Sequence, residues 1–368
     1  MRSRIFLVFS ILVAAAVVSY LLSSISLGEV KDLIVNSNKR AVLIFVVLSI
    51  AMSVFRTWRY KLLLALNGYR PTSISLFLVV LVRNFFSDLL PARAGTLIYI
   101  FILNTRLGVP LDAATSSFAL AFLFDIIAIV PLVVLAALSA GPIEGIPQFT
   151  IIEAALLLAV ITAVLIYVLP RAFHFSAILT KKLPFLPAHW SRAIAEFLDK
   201  VESDIRAVRD AGMYGRVLVL SVFVRLGKYG SLYAFLYALL QPLGYKLADL
   251  PAAKVFIGLC IPELAASMPF SGIAGIGAYQ GAWVFIFNLL GFPLKIAQLT
   301  SVSHHLFTQL YGYLVGILAL LILLLPAFRN EVKLEQSELK NDSLGKFSAR
   351  VVLVCAFFSV LIYSLIRL

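Results

Sequence analysis

The sequence predicts an all-α polytopic membrane protein with about seven transmembrane helices, two re-entrant helical hairpins and an inverted-topology internal repeat. Three observations lead there. Of 368 residues, 62% are apolar and only 13% charged, against roughly half and a quarter in an ordinary soluble domain. Long apolar stretches recur along the chain, and two proline- and glycine-broken regions between them carry charge. A soluble enzyme, a disulfide-stapled secreted scaffold and a transmembrane β-barrel are all excluded by this pattern.

Taken in order, Ile5 to Leu27 is a run of 23 residues, too long for the core of a cleaved leader, and reads as a retained first span. Ala41 to Leu66 is a second, ending among Arg56, Arg59, Lys61 and Arg70. Ala113 to Ala140, Thr150 to Leu169, Tyr214 to Leu243, Leu294 to Leu325 and Phe347 to Ile366 complete the set. Each is long enough to cross about 30 Å of hydrocarbon at about 1.5 Å per residue.

The excess of 31 Lys and Arg over 18 Asp and Glu, a formal +13, reports cytoplasmic loops and anionic lipid rather than nucleic acid. The turn Gly141 to Phe149 lacks Lys and Arg and is placed outside, whereas Arg171 to Met213 holds seven of them and is placed inside. Within that segment, Ile194, Phe197, Leu198, Val201, Ile205 and Val208 follow the period of an amphipathic helix along the inner leaflet, with Trp190 at the interface. The protein is therefore expected in the cytoplasmic membrane, N-terminus inside and C-terminus outside. Cys260 and Cys355 both lie in apolar runs and suggest neither a disulfide framework nor a metal site.

The two broken regions carry the functional signal. Thr72 to Asn104 places Arg83, Asn84, Asp88 and Arg93 around Pro91 and Gly95. Pro251 to Asn288 places Glu263 and Gln280 around Pro262, Pro269, Gly272, Gly275, Gly277 and Gly281. Broken backbone at membrane depth survives only where protein buries it or water fills a cavity, so each region is predicted to be a re-entrant hairpin. A pair of short tilted spans is the alternative. Pro91, Gly95, Pro269, Gly272, Gly275 and Gly277 would shape the loops.

The regions also repeat. Leu107-Gly108-Val109-Pro110-Leu111 returns as Leu290-Gly291-Phe292-Pro293-Leu294, and Arg56-Thr57-Trp58-Arg59-Tyr60 as Arg225-Leu226-Gly227-Lys228-Tyr229. Repeat 1 is taken as 41–140 and repeat 2 as 214–325, separated by the 171–213 segment and followed by a terminal span, 347–368. Loop charges send the two units through the membrane in opposite senses, an arrangement found in secondary transporters.

Buried charge costs about 2.5–3.5 kcal/mol per residue on insertion scales and is retained where it pairs or lines a path. Arg56, Arg59, Arg83, Arg93, Arg225 and Lys228 outnumber Asp88, Asp125, Glu153 and Glu263 in or beside the spans. A lipid phosphate would offset the surplus. Arg83, Asn84, Asp88, Arg93, Glu263 and Gln280 are the expected headgroup contacts. Arg56, Arg59, Asp125, Arg225, Lys228, Tyr229, His304, His305 and Gln309 are the expected lining of the path. Against this, Arg56 and Arg59 have the snorkelling position near a span end, and Asp125 has that of an acid satisfying a neighbouring helix. A serine–histidine dyad of Ser271 with His304 lacks the flanking pattern of a nucleophile turn. Neither a metal nor another cofactor is expected.

Asn84 through Leu90-Pro91-Ala92-Arg93-Ala94-Gly95, the Leu-Gly-x-Pro-Leu turn before the span with Asp125, and Met268-Pro269 through the glycines to Gln280 resemble the transmembrane, flippase-like region of lysylphosphatidylglycerol synthases. The likeness runs from about residue 5 to 325. It implies lipid translocation, since synthase relatives move an aminoacylated phosphatidylglycerol and stand-alone ones are associated with other lipids. Thr96 and Tyr99 stand where the family often has an acid and an arginine, and Gln280 where an acid is frequent. No aminoacyl-transferase domain follows Pro326, so lipid aminoacylation is not expected. A lipid with an anionic or zwitterionic headgroup is the expected partner, with envelope-lipid enzymes as further partners. A membrane-embedded lipid-modifying enzyme and a non-catalytic scaffold for such enzymes are the alternatives.

Overall fold

The computed structural model describes residues 17, 19–21, 23–90, 95, 97–141, 147–162, 202–204, 206–208, 210–268, 273–328, 353, 356 and 360. Most of the expected first span, the terminal span, Trp190, Cys355, Pro91, Arg93, Pro269, Ser271 and Gly272 lie outside these residues. The described chain is helical: α1 Leu27–Val35, α2 Lys39–Ala65, α3 Ser73–Leu89, α4 Ile98–Leu107, α5 Leu111–Ser139, α6 Gln148–Thr162, α7 Tyr214–Leu240, α8 Ala252–Ala266, α9 Ala278–Leu289 and α10 Leu294–Leu323. Among these residues four helices, α2, α5, α7 with its short extension to Leu243, and α10, are long and apolar enough to cross a membrane.

Helix starts follow local chemistry. Asn38 Oδ1 accepts from the Ala41 amide at 3.1 Å, and Thr72 Oγ1 from the Ser75 amide at 3.2 Å, each relieving one of the four unpaired first-turn donors. Ser26 and Glu29 form a reciprocal capping box on α1. Glu29 also meets Lys295 at 2.7 Å. That ammonium holds the Glu29 carboxyl down to about 2, and the bridge ties α1 to the start of α10.

The two Leu-Gly-x-Pro-Leu turns have the same conformation. Gly108 and Gly291 both take positive φ, 76° and 91°, which only glycine adopts freely. The next amide bonds back over the helix end, Val109 to Leu103 O at 3.0 Å and Phe292 to Phe287 O at 3.1 Å. An asparagine amide then closes each turn, Asn104 onto Val109 O at 3.0 Å and Asn288 onto Phe292 O at 3.2 Å. Pro110 and Pro293 start the long helices that follow.

Packing is reciprocal between the halves. α2 lies along α7, α3 packs on α10, and α8 packs on α5. α4 rests on α3 and α5 as α9 rests on α8 and α10. Two apolar cores result. One joins α2, α3, α4 and α5 around Tyr60, Leu76, Val79 and Phe124, and the other joins α7, α8 and α9 around Trp283, Phe287 and Leu236. A third cluster, Phe45 with Phe235 and Ala238, closes one end of the bundle, where the Asn38 amide donates to Ala238 O.

Close crossings fall on small residues. An added Cβ on Gly316 would lie 2.2 Å from Phe85 Cβ, and one on Gly227 3.1 Å from Met52 Cβ. At Gly95 it would fall 1.7 Å from the Phe86 carbonyl oxygen. The expected loop glycine is thus explained by backbone contact with α3. Of the second glycine group, Gly275 and Gly277 have positive φ, 71° and 93°, whereas Gly281 lies inside α9 and does not shape the loop.

Candidate functional site

The first polar cluster forms where α2, α3, α5 and α7 meet. Burying Arg59 completely requires a counter-charge, because an isolated guanidinium cannot leave water cheaply. Asp125 supplies it through a two-pronged contact, 2.7 Å from Arg59 Nη1 to Oδ1 and 3.3 Å from Nη2 to Oδ2. Nη1 also donates to Ser221 Oγ at 2.9 Å, and Arg225 Nε lies 3.5 Å from the same carboxylate, within ion-pairing range. Tyr60, beside Arg59, stacks on Tyr99 with centroids 4.1 Å apart, and Tyr99 shares a hydrogen bond with Ser117 at 3.1 Å. Asp125 is therefore a structural counter-ion for arginines of two other helices.

Arg56, one turn before Arg59, behaves differently. Its Nη1 donates to Asn84 Oδ1, and Arg83 Nη1 donates to that same oxygen at 3.3 Å. Arg56 is only 8% exposed. Two guanidiniums share one neutral acceptor, and like charges about 5 Å apart repel by roughly 3 kcal/mol at an effective dielectric of 20. Asp88 is a turn further along α3, where its Oδ2 lies 3.5 Å from the position a Cβ would take on Gly312.

The second cluster forms where α7, α8, α9 and α10 meet. Lys228 donates to Glu263 across α7 and α8, and Tyr229 packs edge-on against Phe256 at 4.8 Å. Gln280 Oε1 accepts from the Gly277 amide at 2.7 Å, which turns Nε2 toward His305 Nδ1 at 2.8 Å. His305 Nδ1 is then an acceptor, and its Nε2–H points at the Gln309 amide, 2.9 Å away. That contact is satisfied with the amide oxygen toward the ring. His304 Nε2 donates to Leu232 O at 3.0 Å, leaving Nδ1 to accept from Tyr279 Oη at 3.2 Å. Both ring nitrogens of His304 are thus engaged within the cluster.

Of the expected site residues, Arg56, Arg59, Arg83, Asn84, Asp125 and Arg225 come together in one cluster. Lys228, Tyr229, Glu263, Gln280, His304, His305 and Gln309 come together in the other. Glu153 is exposed on α6. Sequence reading overlooked Gly312 and Gly316, a Gly-x-x-x-Gly on α10 that a small-residue search would have found. It also overlooked Ser221, a common residue type with no pattern of its own.

Two comparisons with known proteins bear on this arrangement. The chain is 21% identical over 328 residues to a UPF0104 membrane protein of Methanocaldococcus jannaschii, a match covering 88% of this chain and 95% of that protein. The family model for the lysylphosphatidylglycerol synthase TM region matches residues 7–316, a stretch that includes both polar clusters. On that match the chain is a membrane protein belonging to the lysylphosphatidylglycerol synthase transmembrane-region family.

Proposed function

We propose that the protein translocates a phospholipid or lipid-linked headgroup across the cytoplasmic membrane, without catalysing a covalent change in it. The observation that carries this reading is the collection of four arginines from α2, α3 and α7 around one aspartate and one asparagine, between helices of a membrane protein. Charge held there at several kcal/mol needs a task, and an anionic or zwitterionic headgroup supplies one.

The reading includes an inverted repeat, α2 to α5 and α7 to α10, with each short helix pair re-entrant. Supporting it are the matching turns at Gly108 and Gly291 and the reciprocal packing of α3 on α10 and α8 on α5. The ends of the short helices add to this. Arg106 at the end of α4 reaches Leu323 O at the end of α10, whereas Tyr233 binds Leu250 O just before α8, near the finish of α7. The α3–α4 pair would then open toward the cytoplasm and the α8–α9 pair toward the outside. Headgroups would pass between them while acyl chains stay in the bilayer. Arg83, Asn84, Asp88, Arg93, Glu263 and Gln280 are the proposed contacts, and envelope-lipid enzymes the proposed partners.

The test is reconstitution into vesicles carrying fluorescent phospholipids, with an impermeant quencher to report the outer leaflet. Protein-containing vesicles should exchange lipid faster than empty ones, and Arg83→Ala should slow that exchange. Exchange unaltered by Arg83→Ala would remove the proposed role of this residue, and exchange equal to empty vesicles would remove the translocation itself.

A further inference from the structure

We infer that the two neighbouring arginine pairs have separate duties: Arg56 and Arg83, with Asn84 between them, form a subsite for one phosphoryl anion, while Arg59 is permanently closed by Asp125 and takes no part in binding. The inference deepens the reading above by naming the group recognised, yet it concerns binding alone.

Three observations distinguish the pairs. Arg59 spends both terminal nitrogens on Asp125 and Ser221 and is fully buried. Both of its terminal nitrogens are already tied to protein partners. Arg56 gives one terminal nitrogen to Asn84, and the other makes only a 3.8 Å contact with Met52 Sδ. The Nε of Arg56, Arg83 and Arg59 alike is buried without a hydrogen-bond partner, so it is the terminal nitrogens and the carboxylate that set the pairs apart. Among the described residues neither Arg56 nor Arg83 is within ion-pairing distance of a carboxylate; Asp125 is already shared by Arg59 and Arg225. Asn84 holds the two cations in place through one oxygen and cancels neither. Such a pair, approaching from two helices, suits an anion with several oxygens spread over a tetrahedron better than a flat carboxylate, which one fork satisfies. A lipid phosphodiester and free phosphate share that chemistry.

Asn84→Asp offers a sharp test, because it places a carboxylate, the same size as the amide, between the arginines. The chain's own charge then does what the ligand would do. The full-length protein in a phosphate-free detergent would be titrated with short-chain phosphatidylglycerol, with diacylglycerol and with sodium phosphate, and bound species counted by native mass spectrometry. Phosphatidylglycerol should be retained over diacylglycerol. Arg56→Gln with Arg83→Gln should weaken that retention about tenfold or more, the scale of one lost charge-assisted hydrogen bond, and leave diacylglycerol unchanged. Asn84→Asp should lose the lipid and melt at a higher temperature than the wild type. Phosphate that saturates the site as tightly as the lipid supports the subsite and assigns it to a soluble anion. Wild-type retention in either variant, or a lower melting temperature for Asn84→Asp, overturns the inference. Binding that follows these arginines in a protein that moves no lipid leaves the subsite standing and removes translocation.

Discussion

At the scale of single residues, the sequence makes costly groups visible but not their partners. Asp125 and Arg59 stand out as charges inside apolar runs, yet 66 positions separate them, and no periodic pattern links residues on α2 and α5. The pairing is a tertiary fact. Its consequence is a strong dependence of stability on the aspartate: Asp125→Asn leaves a fully buried guanidinium uncompensated and should destabilise the fold by about 3–5 kcal/mol. Arg59→Met with Asp125→Leu should recover part of the loss, Arg225 still lacking its counter-charge. Thermal unfolding in detergent checks both, and a single variant as stable as wild type would show that the pair carries no such weight. Arg56 was legible as a cation expected to line the path, with snorkelling near a span end as the alternative. What the sequence could not display is that it meets Arg83 at Asn84 instead of reaching for headgroups.

Among elements, the four long helices were read to within a few residues because their apolar runs mark them. The broken regions were legible as broken, since Pro91, Gly95 and the glycines after Pro269 cannot sit comfortably in uninterrupted helices. The contact of α3 with α10 was not legible, as it depends on which face of an apolar helix carries its small residues. Gly316 decides that contact. Gly316→Leu would drive a side chain into Phe85, which already overlaps the Cβ position at 2.2 Å, and against the Leu81 carbonyl at 3.4 Å, and should cost about 1–3 kcal/mol as overpacking does. Gly230, where an added Cβ would first meet only the flexible end of Leu48 at 3.4 Å, should accept Ala with less loss. Comparing the two melting temperatures checks the ordering.

For the molecule as a whole, the two motif pairs found in the sequence suggested a duplication, and the turn geometry at Gly108 and Gly291 gives that suggestion physical detail. The proposed opposite orientation of the halves has a direct measurement. Ser73 and Ala252, at the starts of α3 and α8, are both exposed. In a background with Cys260→Ser and Cys355→Ser, Ala252→Cys should react with an impermeant maleimide on intact cells, and Ser73→Cys only after the membrane is opened. Labelling of both positions from one side would defeat the inverted arrangement.

The seat of α3 against Gly312 and Gly316 of α10 reaches beyond local fit. α10 is also the helix on which α9 leans, so the two short helix pairs share a common post. Under the proposed translocation, a tilt of the first pair would load that post and pass to the second. Two doors hung on one jamb would not swing independently, which would give the proposed transporter a mechanical means of keeping one side shut while the other stands open.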